Sequence, residues 1–125
     1  ERLVRCRPAQ APDWFNLGFV REACGQAEAA EAAFRRALAI DPGFDRAWYG
    51  LGLCLIRQRR WDDAAAALRR NVALQPMNPC GWYQLARVHV DRNDPEAARQ
   101  IIGHLRQFEP QVAAQLESET GLSAS

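Results

Sequence analysis

The sequence contains no lysine: all sixteen of its basic residues are arginine. Fifteen acidic residues bring the formal net charge to +1, so no charge excess calls for a nucleic acid or an anionic membrane as partner. The arginine bias holds everywhere along the chain and reads as a composition bias of the source genome. A binding role for any one arginine must therefore be argued from its position. Long apolar runs are also missing: none approaches the roughly 20 residues needed to cross a bilayer, and no secretory signal pattern opens the chain. The four cysteines, Cys6, Cys24, Cys54 and Cys80, form no Cys-x-x-Cys pair and have no neighbouring histidine. That excludes a clustered zinc site and a disulfide framework, and leaves small buried hydrophobes in a reducing compartment such as the cytoplasm.

The parts of an active site are lacking as well. Neither a G-x-x-x-x-G-K-[ST] nor a G-x-G-x-x-G pattern occurs, and no nucleophile stands beside a base. His89 and His104 fall in different helical segments, and a partly buried structural role suits His89 better than chemistry. Asp62 and Asp63 begin a helical segment, where carboxylates complement the positive end of the helix dipole. The expectation is a chain with no catalysis, no cofactor and no metal.

What the sequence does contain is a period. The segments "DWFNLGFV" at 13–20, "AWYGLGLC" at 47–54 and "GWYQLARV" at 81–88 align without gaps, and Trp14, Trp48 and Trp82 recur at a step of 34 residues. The same step relates Leu17, Leu51 and Leu85; Gly18, Gly52 and Ala86; Ala30, Ala64 and Ala98; Phe34, Leu68 and Ile102; and Pro42, Pro76 and Pro110. These residues resemble the tetratricopeptide repeat, whose W-x2-L-G, aromatic, Ala and Pro positions recur every 34 or so residues. The resemblance spans 11–112. It implies an all-α fold, a right-handed solenoid of stacked antiparallel helix pairs, whose concave face recognises protein partners. Two departures stand out. The family's tyrosine, three residues after the small Gly or Ala, is replaced by Arg21, Leu55 and His89, and Asn71 stands where a small apolar residue is usual. Local loosening of the packing is expected at Asn71.

Helical periodicity agrees with this organisation. Apolar residues recur at helical spacing over 13–24, 46–57 and 80–92, and Ala-rich faces follow over 27–40, 61–74 and 95–108. Gly25, Arg59 and Asn93 take equivalent turn positions, and the prolines after each second helix stop it. The period divides the chain into 11–44, 45–78 and 79–112. Residues 1–10, with Pro8 and Leu3 one step before Pro42 and Ala37, read as the end of a preceding second helix in a longer array. Residues 113–125 read as a short capping helix, over 111–118, and a frayed tail from Gly121 onward.

Two adjacent aromatics, Trp48 and Tyr49, raise the question of a site. Successive helix residues turn by about 100°, so the two rings cannot share one narrow core. Trp48, Leu51, Gly52 and Leu55 form one face; Tyr49, Leu53 and Ile56, flanked by Arg46 and Arg57, form a second. The matching second face holds Phe15, Phe19 and Glu22 in the first helix pair, and Cys80, Tyr83, Arg87, Val90 and Asp91 in the third. By resemblance these positions line the concave groove, so the candidate site is Phe15, Phe19, Arg46, Tyr49, Leu53, Arg57, Tyr83 and Arg87. Some of these side chains could equally continue the core against the next first helix. The family's carboxylate clamp for the acidic tails of chaperones is absent, because its positions carry Phe15, Phe19, Gly50, Cys80 and Gln84. Arg35, Arg36, Arg69 and Arg70 fall on the outer helices among carboxylates and read as a solvated surface.

Three functions follow. The first is a module that binds an apolar peptide or protein segment carrying some acidic residues, without nucleic acid or membrane insertion. The second is the targeting or scaffolding region of a larger enzyme or of a secretion or assembly machine. The third is self-assembly as a homo-oligomer through Phe15, Phe19 and the N-terminal edge.

Overall fold

The computed structural model describes residues 10–123. The reading of residues 1–10, with Leu3, Cys6 and Pro8, falls almost wholly outside the described residues. Among the described residues seven helices follow in order: α1 Ala11–Ala23, α2 Ala27–Ile40, α3 Asp45–Arg57, α4 Trp61–Leu74, α5 Pro79–Asp91, α6 Pro95–Phe108 and α7 Pro110–Thr120. The spans of α2, α4 and α6 coincide with those read from the sequence. The chain is an all-α, right-handed solenoid, in which α1 packs on α2, α3 on α4 and α5 on α6, and each pair leans on the next.

The local causes are visible in each helix end. The Gln10 N–H donates to Asp13 Oδ2 at 2.8 Å, and Pro12 sits in the first turn, which together open α1. Asn78 and Asp94 cap α5 and α6 by accepting from the backbone N–H groups of Cys80 and Ala97. Every first helix ends in the same way: Gly25, Arg59 and Asn93 take φ of 78°, 60° and 67°. In each case the following N–H reaches back five residues, Gln26 to Arg21 O, Arg60 to Leu55 O and Asp94 to His89 O, at 2.9, 2.9 and 2.7 Å. This is the left-handed closure that glycine and asparagine take easily and arginine takes at a cost.

The tryptophans join the pairs rather than merely filling them. Trp48 Nε1 donates to Pro42 O and Trp82 Nε1 to Pro76 O, both at 2.8 Å, so each ring ties its helix to the proline turn before it. On the outer side, the Arg36 guanidinium lies 4.9 Å from the Trp14 ring and that of Arg70 lies 5.1 Å from Trp48. His104, one step further, packs tilted against Trp82 with ring centroids 4.7 Å apart. The outer arginines expected as solvated surface are thus only partly that: Arg36 and Arg70 cover tryptophan faces.

The core is built on close approach. Phe34 is buried, and a Cβ added at Gly18 or Gly50 would meet its ring at 2.8 or 2.6 Å. Leu68 fills the same role against Gly52 at 2.8 Å. Asn71 corrects one expectation: it does not loosen the packing. Its Nδ2 donates to Asp45 O at 2.9 Å, and its Oδ1 occupies space that only a glycine at position 81 leaves open. An amide fits where alanine would because it finds a partner and a hollow.

The cysteine reading holds for one residue. Cys54 is buried, and burial pushes its thiol up to about 12, with Glu22 and Glu31 adding to the effect. Cys24 and Cys80 are exposed, because they sit at a helix end and at the edge of the groove. The C-terminal tail also differs in part from the frayed expectation. Gly121, at φ 74°, closes α7, and Leu122 packs back on the core. Helix α7 itself runs across the 112/113 boundary that the period draws.

Two predictions follow from this packing. Gly50→Ala should destabilise the chain by about 1–2 kcal/mol in urea denaturation, since overpacking outweighs the roughly 1 kcal/mol gained in helix propensity. Phe34→Leu in the same background should recover part of that loss; a Gly50→Ala chain as stable as the parent would show that the ring yields freely. The second concerns His89, which is buried among Arg69, Arg92 and Asp94. Burial first, then the two arginines, hold its pKa below the ordinary 6.5. The unfolded chain therefore takes up the proton first as pH falls, so the stability from neutral His89 is fully present above 6.5 and is lost as pH falls below it. Between about pH 7.5 and about pH 5.5 the urea midpoint should fall more for the parent than for His89→Leu, which carries the residue found at position 55.

Candidate partner-binding groove

The first helices of the pairs form an inner row. Helix α1 touches α3 and α5 touches α7, and Tyr49 of α3 and Gln84 of α5 line one cavity, while no contact of that extent joins α2, α4 and α6 to one another. The side chains between α1, α3, α5 and α7 define the candidate groove.

Between α3, α5 and α7 lies a cavity of about 300 Å³ lined by Tyr49, Pro79, Cys80, Tyr83, Gln84, Val112 and Gln115. Tyr49 is half-buried, and its hydroxyl is pushed above its ordinary range by that burial. The ring packs toward α5 and walls the cavity at once. Aromatic and aliphatic surface with a few amide and hydroxyl groups suits an apolar anchor whose orientation is fixed by hydrogen bonds.

The other candidate residues divide into separate settings. Phe15 stacks between Phe34 and Phe44 at 5.7 and 5.1 Å, and the Arg46 guanidinium lies 5.1 Å from its ring. Leu53 is half-buried and does not line the cavity. Phe19 stands apart with 63% of its surface exposed, beside Val20 at 56% and Leu17 at 37%. Arg57 Nε donates to Glu22 Oε2 at 2.5 Å. Arg87 Nη1 donates to Glu119 Oε1 at 2.9 Å and to the Tyr83 hydroxyl at 3.1 Å, while that hydroxyl donates to the same Glu119 oxygen at 2.5 Å.

Electrostatics follow from this triad. The bond to Glu119 and partial burial raise the Tyr83 pKa, and the Tyr83 hydroxyl followed by Gln115 lowers that of Glu119. The group is a tyrosine, a carboxylate and a guanidinium held in one charge state at neutral pH. Among the described residues no three His, Cys, Asp or Glu side chains converge as a metal site, and no helix is long and apolar enough to cross a membrane.

Sequence reasoning put Glu22 and Cys80 on the second face of the first helices, where Cys80 lines the cavity, and did not include the contribution of α7. Val112, Gln115 and Glu119 follow at i, i+3 and i+7, so they share one helix face. That spacing was readable; that the face turns into the groove was not, because it depends on how α7 docks on α5 and α6.

The model of the family described as Tetratricopeptide repeat matches residues 23–76 and again 55–118. No curated protein matches the chain. Among solved structures, the second TPR domain of the human RPAP3 protein in complex with HSP70 peptide SGPTIEEVD superposes with a TM-score of 0.82. The match covers 91% of this chain and 97% of that one at 15% identity. MamA is similar with a TM-score of 0.81, over 97% of this chain and 74% of its own, at 19% identity. The Yersinia enterocolitica type III secretion translocator chaperone SycD gives 0.72, over 86% and 88%, at 17% identity. At these identities the likeness is one of fold. With the family model spanning most of its length and helix pairs stacked at the repeat's own period, the chain belongs to the tetratricopeptide repeat family.

Proposed function

We propose that the chain is a protein-interaction module that seats a peptide segment of its partner in the concave groove, with no catalysis of its own. The observation that carries this reading is the cavity between Tyr49 and Tyr83, a mainly apolar site with Gln84 and Gln115 in its lining. Proteins of the same fold support the kind of ligand: the human RPAP3 domain is in complex with an HSP70 peptide, and SycD is a type III secretion translocator chaperone. The wall residues are Phe15, Phe19, Arg46, Tyr49, Leu53, Arg57, Tyr83 and Arg87, and the partner segment is mainly apolar. The acidic-tail clamp is missing here for a packing reason as well, since the Phe34 ring fills the space any side chain at position 50 would need. Free thiols at Cys24, Cys54 and Cys80 suit a reducing compartment such as the cytoplasm.

Exposed Leu17, Phe19 and Val20 favour a second reading, in which this edge meets another copy of the chain. Scaffolding within a larger protein is the third, and it uses the same groove.

Affinity capture with the intact chain, followed by calorimetric titration of the captured partner, tests the siting. A Phe19→Ala/Tyr49→Ala variant should lose about 2 kcal/mol or more of binding free energy, as buried aromatic anchors do, while Glu28→Ala on the outer helix α2 should change it little. Unchanged affinity in the double variant, with the partner bound, would place the interface elsewhere; capture of the chain's own copies would favour the self-association reading.

A further inference from the structure

The candidate groove residues include three arginines, none of which lines the cavity itself, and the structure uses two of them internally. Arg57 of α3 is held by Glu22 of α1, a pair that bridges neighbouring first helices. Arg87 of α5 is held by Glu119 of α7, which also takes the hydrogen bond of Tyr83. Neither carboxylate is needed to build its helix: Glu22 lies in the last turn of α1, where the dipole disfavours it, and Glu119 lies in the last turn of α7, where the same holds. Both carboxylates occupy unfavourable ends of their helices and both reach an inner-row arginine. Helix α7 is anchored without Glu119, through buried Ala113 and Leu116. Arg46, in contrast, lies over the rings of Phe15 and Phe44 at 5.1 and 5.5 Å and has no ion pair among the described residues.

We propose that Glu22 and Glu119 are resident carboxylates that close Arg57 and Arg87 to any partner, so the groove rejects acidic tails. It accepts instead an apolar segment with a single carboxylate directed to Arg46. This rests on the groove reading above and adds the partner's chemistry. An incoming carboxylate at Arg57 or Arg87 must displace an intramolecular one already in place, and gains little by the exchange. At Arg46 it meets a cation whose partners are aromatic faces, which a carboxylate can join without displacing anything. Arg46 and Tyr49 are one turn apart on α3, about 5 Å along the axis. The acidic residue of the partner therefore lies within about two or three residues of its apolar anchor in an extended segment. The device is specificity by exclusion: repulsion and prior occupancy act against the wrong ligand while the cavity favours the right one.

The test uses a fluorescein-labelled peptide SGPTIEEVD, with the human RPAP3 domain as positive control, in anisotropy titrations against the intact chain. The parent should bind it only weakly, and Glu22→Gln/Glu119→Gln should bind about tenfold tighter, as two exposed ion pairs become available. Glu28→Gln/Glu96→Gln changes net charge equally and frees Arg99 on the outer helix α6, yet should leave binding at the parent's level. Adding Arg57→Ala and Arg87→Ala to the first variant should abolish the gain. Glu22→Gln alone, which leaves the α7 contact intact, should give part of it, so a loosened α7 cannot mimic the result.

Tight binding by the parent overturns the proposal, and so does an equal gain in the charge-matched control or a gain that survives loss of both arginines. A failure here is separable from a failure of the groove reading, which is judged by the Phe19 and Tyr49 substitutions on the partner itself.

Discussion

The Phe34 ring is wedged where two helices of the inner row pass it, and it can lie there only because positions 18 and 50 carry no side chain. Everything else in the stack follows from that kind of contact. Glycine costs roughly 1 kcal/mol in a helix interior, yet here it lets a large ring from the outer row reach between neighbours and fill the seam. Leu68 over Gly52 repeats the device one pair later, and Asn71 and Val72 over Gly81 vary it. The constraint reaches function directly. With the Phe34 ring against position 50, no side chain can project from it into the groove, so the ligand chemistry open to this surface is limited by packing before any partner is met.

Much of this architecture was legible in the sequence, and for a physical reason. The period of 34 residues repeats the same local problem three times, so Trp, Leu, Ala and Pro stand at fixed steps and the helix spans can be read from them. Turn chemistry was equally clear at Gly25 and Asn93, and it carried Arg59 with it into a left-handed conformation. What the repeat could not reveal were links between its own landmarks. Trp48 and Pro42 were both visible, but the bond from indole to carbonyl that joins them was not. Arg36 and Arg70 looked like surface because their sequence neighbours are charged; only the packing of the two helices within each pair puts them over tryptophans.

The site was legible in outline. Helical geometry separated Tyr49 from Trp48, and the structure sets Tyr49 beside α5 residues in the wall of one cavity. The missing part came from α7, whose polar composition marked it as a cap and concealed the face it turns inward. Contacts such as Tyr83 with Glu119 join residues far apart in sequence, and their existence depends on how α7 docks on α5. Ion pairs of this exposure contribute little to stability. Their consequence is felt in what the groove can accept, since two of its cations already have partners.

The central claim is that a partner lies along the inner row. Mapping the complex by backbone amide NMR tests it most directly. Shifts on binding should cluster on α3, α5 and α7, around Tyr49, Gln84, Tyr83 and Gln115, and should leave the outer faces of α2, α4 and α6 unchanged. Shifts confined to those outer helices, or to the exposed edge of α1 at Leu17 and Val20, would contradict the account.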